Sequence, residues 1–61
     1  MTVSEFVRYL KKQGIKFKGH GANHDVYRNP KTGDEAQVPR HQTQEIKTGT
    51  KETILKDLRL K

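Results

Sequence analysis

Three histidines, His20, His24 and His41, supply the side-chain groups that ordinarily titrate near neutral pH, and the chain has no cysteine. A positioned histidine that takes or gives a proton is worth roughly 10²–10⁴-fold in rate. His24 follows directly on Gly21-Ala22-Asn23, where Gly19 and Gly21 leave the main chain bare enough for a phosphate to come close. His20 lies within that turn, and His41 follows Arg40 further along. The 13 lysines and arginines outnumber the 7 acidic residues and give a formal charge of +6, a potential that draws polyanions. Lys16, Lys18, Arg28 and Arg40 are the candidate phosphate contacts, beside the small Gly21.

These residue types suit the cleavage of RNA. The ribose 2′-hydroxyl is an internal nucleophile, so the reaction needs a base for its proton, an acid for the leaving 5′-oxygen and cations for the phosphorane charge. His24 is the candidate proton carrier, with His41 or His20 as the second. No metal is expected, because the histidine spacing fits no standard zinc pattern and no carboxylate is placed with it. No cofactor is expected either, since the sequence has no phosphate-binding glycine loop and no dinucleotide fingerprint. Blander readings stand beside this one. A basic surface can simply keep a small protein soluble, a charged strand is most often a solvated face, and His24 can be an ordinary turn histidine. A non-catalytic double-stranded-RNA-binding module and a basic face made for an acidic protein partner both fit the composition.

Positioning these groups falls to a short chain. Thr2-Val3-Ser4-Glu5 reads as a capping box, and Val3, Phe6, Val7 and Leu10 recur at helical spacing until Gly14 stops the helix. Ile15-Lys16-Phe17-Lys18 alternates as a strand with Ile15 and Phe17 on its core face. Gly19-His20-Gly21-Ala22 turns it, and Asn23 to Arg28 form a second strand carrying Val26 and Tyr27. The turn Asn29-Pro30-Lys31-Thr32-Gly33-Asp34 leads into a third strand, Glu35 to Val38, which Pro39 ends at a sheet edge. A polar loop from Arg40 to Lys47 precedes a last helix, capped by Thr48 or Thr50, that buries Ile54, Leu55 and Leu58.

The expected architecture is therefore α+β in the order α-β-β-β-α, with both helices on one face of a three-stranded antiparallel sheet and the other face wet. Residues 1–61 are read as one domain with a thin core, since a chain of this size buries only about 60% of its unfolded surface. The N-terminus lacks the pattern of a signal peptide and no apolar run approaches membrane-spanning length, so a cytoplasmic protein without a membrane partner is expected.

At Gly21-Ala22-Asn23-His24 the sequence resembles the HicA toxin family, small RNA-cleaving proteins of toxin–antitoxin pairs with a double-stranded-RNA-binding-domain-like (dsRBD-like) fold. The likeness continues through Ser4-Glu5-Phe6 with Leu10 and Gln13-Gly14, Val38-Pro39-Arg40-His41, Glu45-Ile46-Lys47, and Ile54-Leu55-Lys56 before Leu58. The resemblance implies an mRNA endonuclease whose catalytic histidine is His24 and whose motif glycine is Gly21, neutralised by a HicB-type antitoxin. Two positions depart from the family pattern. Ala22 stands where serine is frequent, and Asn23 stands where many members carry another histidine, which leaves His24 as the single proton carrier within the motif.

Overall fold

The computed structural model describes residues 1–61. Helix α1, Val3–Lys12, begins at the capping box: the Glu5 N–H donates to the Thr2 hydroxyl at 3.2 Å, and the Thr2 N–H donates to the Glu5 carboxylate at 2.8 Å. Two more N–H groups of its first turn, which have no partner within a helix, are satisfied from a distance. The Val3 and Ser4 amides donate to the carbonyls of Gln44 and Gln42 at 2.9 and 3.0 Å. The terminal ammonium also meets the Glu45 carboxylate at 2.7 Å, so the polar loop after the sheet folds back along the start of the chain. Gly14 follows the helix with φ +87°, in the left-handed conformation its missing side chain permits.

Strands β1 (Lys16–His20), β2 (His24–Arg28) and β3 (Glu35–Pro39) form an antiparallel sheet in the order β1-β2-β3. Lys16 pairs with Arg28 and His20 with Asp25, while the β2–β3 register sets His24 against Pro39 and Tyr27 against Ala36. A bulge between Phe17 and Gly19 shifts the first pairing. Pro39 closes an edge strand, where its missing N–H costs no ladder bond. Helix α2 spans Thr48–Asp57.

The core collects Val3, Phe6 and Leu10 from α1, Ile15, then Tyr27, Ala36 and Val38 from one face of the sheet, Ile46, and Ile54 and Leu58 at the far end of the chain. Both helices thus bury their apolar stripes against a single sheet face, as the alternation in β2 and β3 requires. One polar side chain is buried with them. Asn29 donates from Nδ2 to the Leu58 carbonyl at 2.7 Å and accepts from the Lys31 amide at 3.0 Å, which ties the second hairpin to the end of α2.

Two expectations about the elements are corrected. Phe17 is 46% exposed rather than part of the core. It lies on edge strand β1, where its ring meets Tyr27 and His20 edge-on and no helix covers it. Neither Thr48 nor Thr50 caps α2: the cap residue is Lys47, without a side-chain cap, and both threonines lie inside the helix. Burial of Ile46 next to that cap fixes where the chain enters the helix, so packing decides the boundary that hydroxyl chemistry suggested one or three residues later.

Candidate functional site

The β1–β2 hairpin builds the site. With His20 paired to Asp25, the chain must reverse over Gly21-Ala22-Asn23-His24, and the Gly21 amide donates to the His24 carbonyl at 2.6 Å to close that reversal. His24 is the first residue of β2 and is exposed. By the two-residue period of a strand it shares a face with Val26 and Arg28, opposite to the core-facing Tyr27. Lys16, across from Arg28, belongs to that same open face. Lys18 rises at the bulge and reaches over β2 to the Glu35 carboxylate at 2.5 Å.

His24 and Arg28 are four residues apart, which at about 3.3 Å per residue separates them by roughly 13 Å along the strand. Lys16 and Arg28 therefore belong at a different point of any bound polyanion from His24. The cation nearest His24 is Arg40, just beyond Pro39. Its Nη2 donates to the carbonyls of Gly21 at 2.6 Å and His24 at 3.3 Å, and its Nε donates to Asp25 at 3.1 Å.

Asp25 was not distinguished by sequence pattern, yet it is the hub of the hairpin. It receives Arg40 and also pairs with His20 Nδ1 at 2.8 Å. The hydrogen bond from His20 is the largest influence on its carboxyl; burial opposes it, and with the weaker bond from Arg40 added the carboxyl is held below the ordinary aspartate value. No local pattern marks Asp25 in advance, because its role comes from the β1–β2 register that pairs it with His20. His20 is accordingly the last residue of β1 and ion-paired, not loose in the turn. His41 lies exposed in the loop two residues past Pro39, the register partner of His24. Tyr27, beneath the hairpin, has its phenol pushed up by burial and by the Asp25 charge.

The site is a surface rather than a pocket. A cleft between β3 and α2, lined in part by Glu35, Gln37, Thr50 and Asp57, contains no residue of the His24 turn and carries two carboxylates. That charge makes the cleft a poor seat for a phosphate chain. No helix is long and apolar enough to cross a membrane.

Comparison with known proteins agrees with this arrangement. The chain is 44% identical over 57 residues to the probable mRNA interferase HicA 2 of Photorhabdus laumondii, covering 92% of this chain and 91% of that one. It is 39% identical over 62 residues to the probable mRNA interferase HicA of Pseudomonas fluorescens, covering 100% of this chain and 98% of the relative. Among solved structures, one chain of the E. coli HicAB toxin–antitoxin complex superimposes with a TM-score of 0.83 at 40% identity, over 95% of this chain and 96% of that chain. The family described as the HicA toxin of bacterial toxin–antitoxin pairs matches residues 3–60, from the first residue of α1 to the turn that ends α2, and the chain belongs to it.

Proposed function

We propose that this protein is an mRNA interferase, the toxin of a type II toxin–antitoxin pair, which cleaves single-stranded RNA without a metal and uses His24 for general acid–base catalysis. The observation that carries the reading is the exposed His24 imidazole, presented by a hydrogen-bonded turn on the sheet face that also carries Lys16 and Arg28. His24 takes the 2′-hydroxyl proton as that oxygen attacks the adjacent phosphorus. The P–O5′ bond breaks, the 5′-oxygen is protonated by a second group, and a 2′,3′-cyclic phosphate is left on the upstream fragment. His41, two residues beyond the Pro39 that pairs with His24, is the second proton carrier in this scheme. Lys16, Lys18 and Arg28 hold flanking phosphates, Gly21 keeps one side of the turn free of a side chain, and Arg40 bonds to the carbonyls at both ends of that turn.

The partner is a HicB-type antitoxin that covers His24 and the open face, because occupying the phosphate path is the simplest way to silence this chemistry. The family match and the likeness to a chain of a toxin–antitoxin complex support such a partner. The free toxin is a monomer that acts in the cytoplasm, where mRNA is found.

The test is to incubate purified protein with single-stranded RNA in the presence of a chelator and to determine the product ends. Fragments ending in 2′,3′-cyclic phosphate are expected. RNA that is bound but left whole would overturn the nuclease reading and leave a non-catalytic RNA-binding module.

A further inference from the structure

Arg40 is the one cation beside His24, yet most of its donors point at the protein. Nε is spent on Asp25 and Nη2 on the carbonyls of Gly21 and His24, the two ends of the turn that presents the imidazole. A planar guanidinium can hold three acceptors in a fixed fork, which an ammonium cannot do. The same Asp25 oxygen, Oδ1, also pairs with His20 Nδ1 at 2.8 Å, so the guanidinium is anchored at its base as well as at its tip. Arg40 follows Pro39, whose fixed φ and pairing opposite His24 deliver the arginine to this position. The result links the end of β3 to both ends of the β1–β2 turn through side-chain bonds, alongside the single main-chain bond from Gly21 to His24.

We propose that Arg40 and Asp25 form a clamp that holds the Gly21–His24 turn, making Arg40 a positioning residue for His24 rather than a direct phosphate ligand. The clamp rests on the reading of His24 as the proton carrier. Its physical content is alignment: displacement of a reacting group by about 1 Å can cost roughly 10²-fold in rate. Phosphate binding and turn positioning make opposite demands on a replacement at residue 40. A phosphate ligand needs the charge and tolerates lysine. A clamp needs the fork and fails with lysine.

The experiment compares wild type with Arg40→Lys, Arg40→Gln, Asp25→Asn and His24→Ala on a single-stranded RNA. It measures kcat, KM, the salt dependence of binding and the exchange rate of the Gly21 amide. The clamp predicts that Arg40→Lys and Arg40→Gln both lose roughly 10- to 100-fold in kcat with KM little changed. It further predicts that the salt slope is unaltered in both and that the Gly21 amide exchanges about tenfold faster. Asp25→Asn, the mildest change in shape and the variant to rely on should the arginine variants not fold, shifts the same readouts in the same direction. Cleavage at the wild-type rate by Arg40→Lys, together with a slope reduced by about 0.7 in Arg40→Gln, would mark a phosphate ligand and overturn the proposal. Failure of the His24 reading shows separately, as full cleavage by His24→Ala. The Gly21 exchange rate then decides the clamp by itself, and unchanged protection in Arg40→Lys and Asp25→Asn overturns it.

Discussion

The amide of Gly21 donates to the carbonyl of His24 across 2.6 Å, and a Cβ placed on Gly21 would stand 3.0 Å from that same oxygen. Backbone therefore meets backbone at the point where the imidazole is presented, and glycine is required there for closeness of approach rather than for an unusual dihedral.

Gly21→Ala should accordingly act on the reaction more than on the fold. The methyl group must push the His24 carbonyl away by a few tenths of an ångström, loosening the turn bond and moving the ring. We expect cleavage to fall roughly tenfold or more, with the thermal midpoint nearly unchanged. Steady-state kinetics beside a melting curve checks this, and a variant that melts much earlier while any folded fraction cleaves normally would contradict it.

Asn29 sets a stability prediction far from the site. Asn29→Ala removes the donor to the buried Leu58 carbonyl and should cost about 1–3 kcal/mol. That is a large share of the total for a 61-residue chain, about 3–9 kcal/mol at roughly 0.05–0.15 kcal/mol per residue. Urea unfolding gives the number, and a loss under about 0.5 kcal/mol, typical of a neutral surface change, would show that the hairpin does not depend on this bond.

Acid should weaken α1 through Glu5. Its carboxyl is held below the ordinary value of 4.5 first by the hydrogen bond from the Thr2 backbone and then by the Thr2 side chain. For a carboxyl depressed in the folded state, the stabilisation is complete above the unfolded value and is lost as pH falls through the folded one. The thermal midpoint should therefore drop as pH is lowered below 4.5, and Glu5→Gln should flatten part of that drop. Parallel midpoint-against-pH curves for the two proteins would count against the capping box as an acid-sensitive element.

Arg59 is the one non-glycine residue with positive φ, 61°, at the turn that ends α2. The Leu60 amide reaches back to the Leu55 carbonyl at 2.9 Å there, a helix end that glycine makes without strain. Arg59→Gly should stabilise the fold by up to about 1 kcal/mol, since the left-handed conformation costs a side chain roughly that much or more. The ion pair it gives up, Arg59 with Asp34 at 3.3 Å, joins an exposed guanidinium to a half-buried carboxylate and is screened on the arginine side, so its loss offsets little. A destabilised Arg59→Gly variant would show that the surface pair outweighs the strain.

The features legible in the sequence were those set by local chemistry. The capping box at Thr2 and Glu5, the glycines at 14 and 33 with positive φ, and the helical spacing that buries Val3, Phe6 and Leu10 all follow from residues close in the chain. Features decided by distant partners were not. Phe17 alternates like a core residue but lies on an uncovered edge strand, and the start of α2 obeys Ile46 rather than a threonine. The site divides in the same way. His24 and Gly21 stand out within a short motif, whereas Asp25 acquires its role only when the hairpin register brings it to His20 and the end of β3 brings Arg40 to it.

The central claim is that the His24 imidazole moves the proton. Single-turnover cleavage of one saturating RNA, followed for wild type and His24→Ala with the affinity of each for that RNA measured alongside, tests it most directly. The account predicts a rate lower by roughly 10²–10⁴-fold at nearly unchanged affinity, the range for loss of a general acid or base. A His24→Ala protein that cleaves at the wild-type rate, or that loses cleavage only in proportion to lost binding, would contradict it.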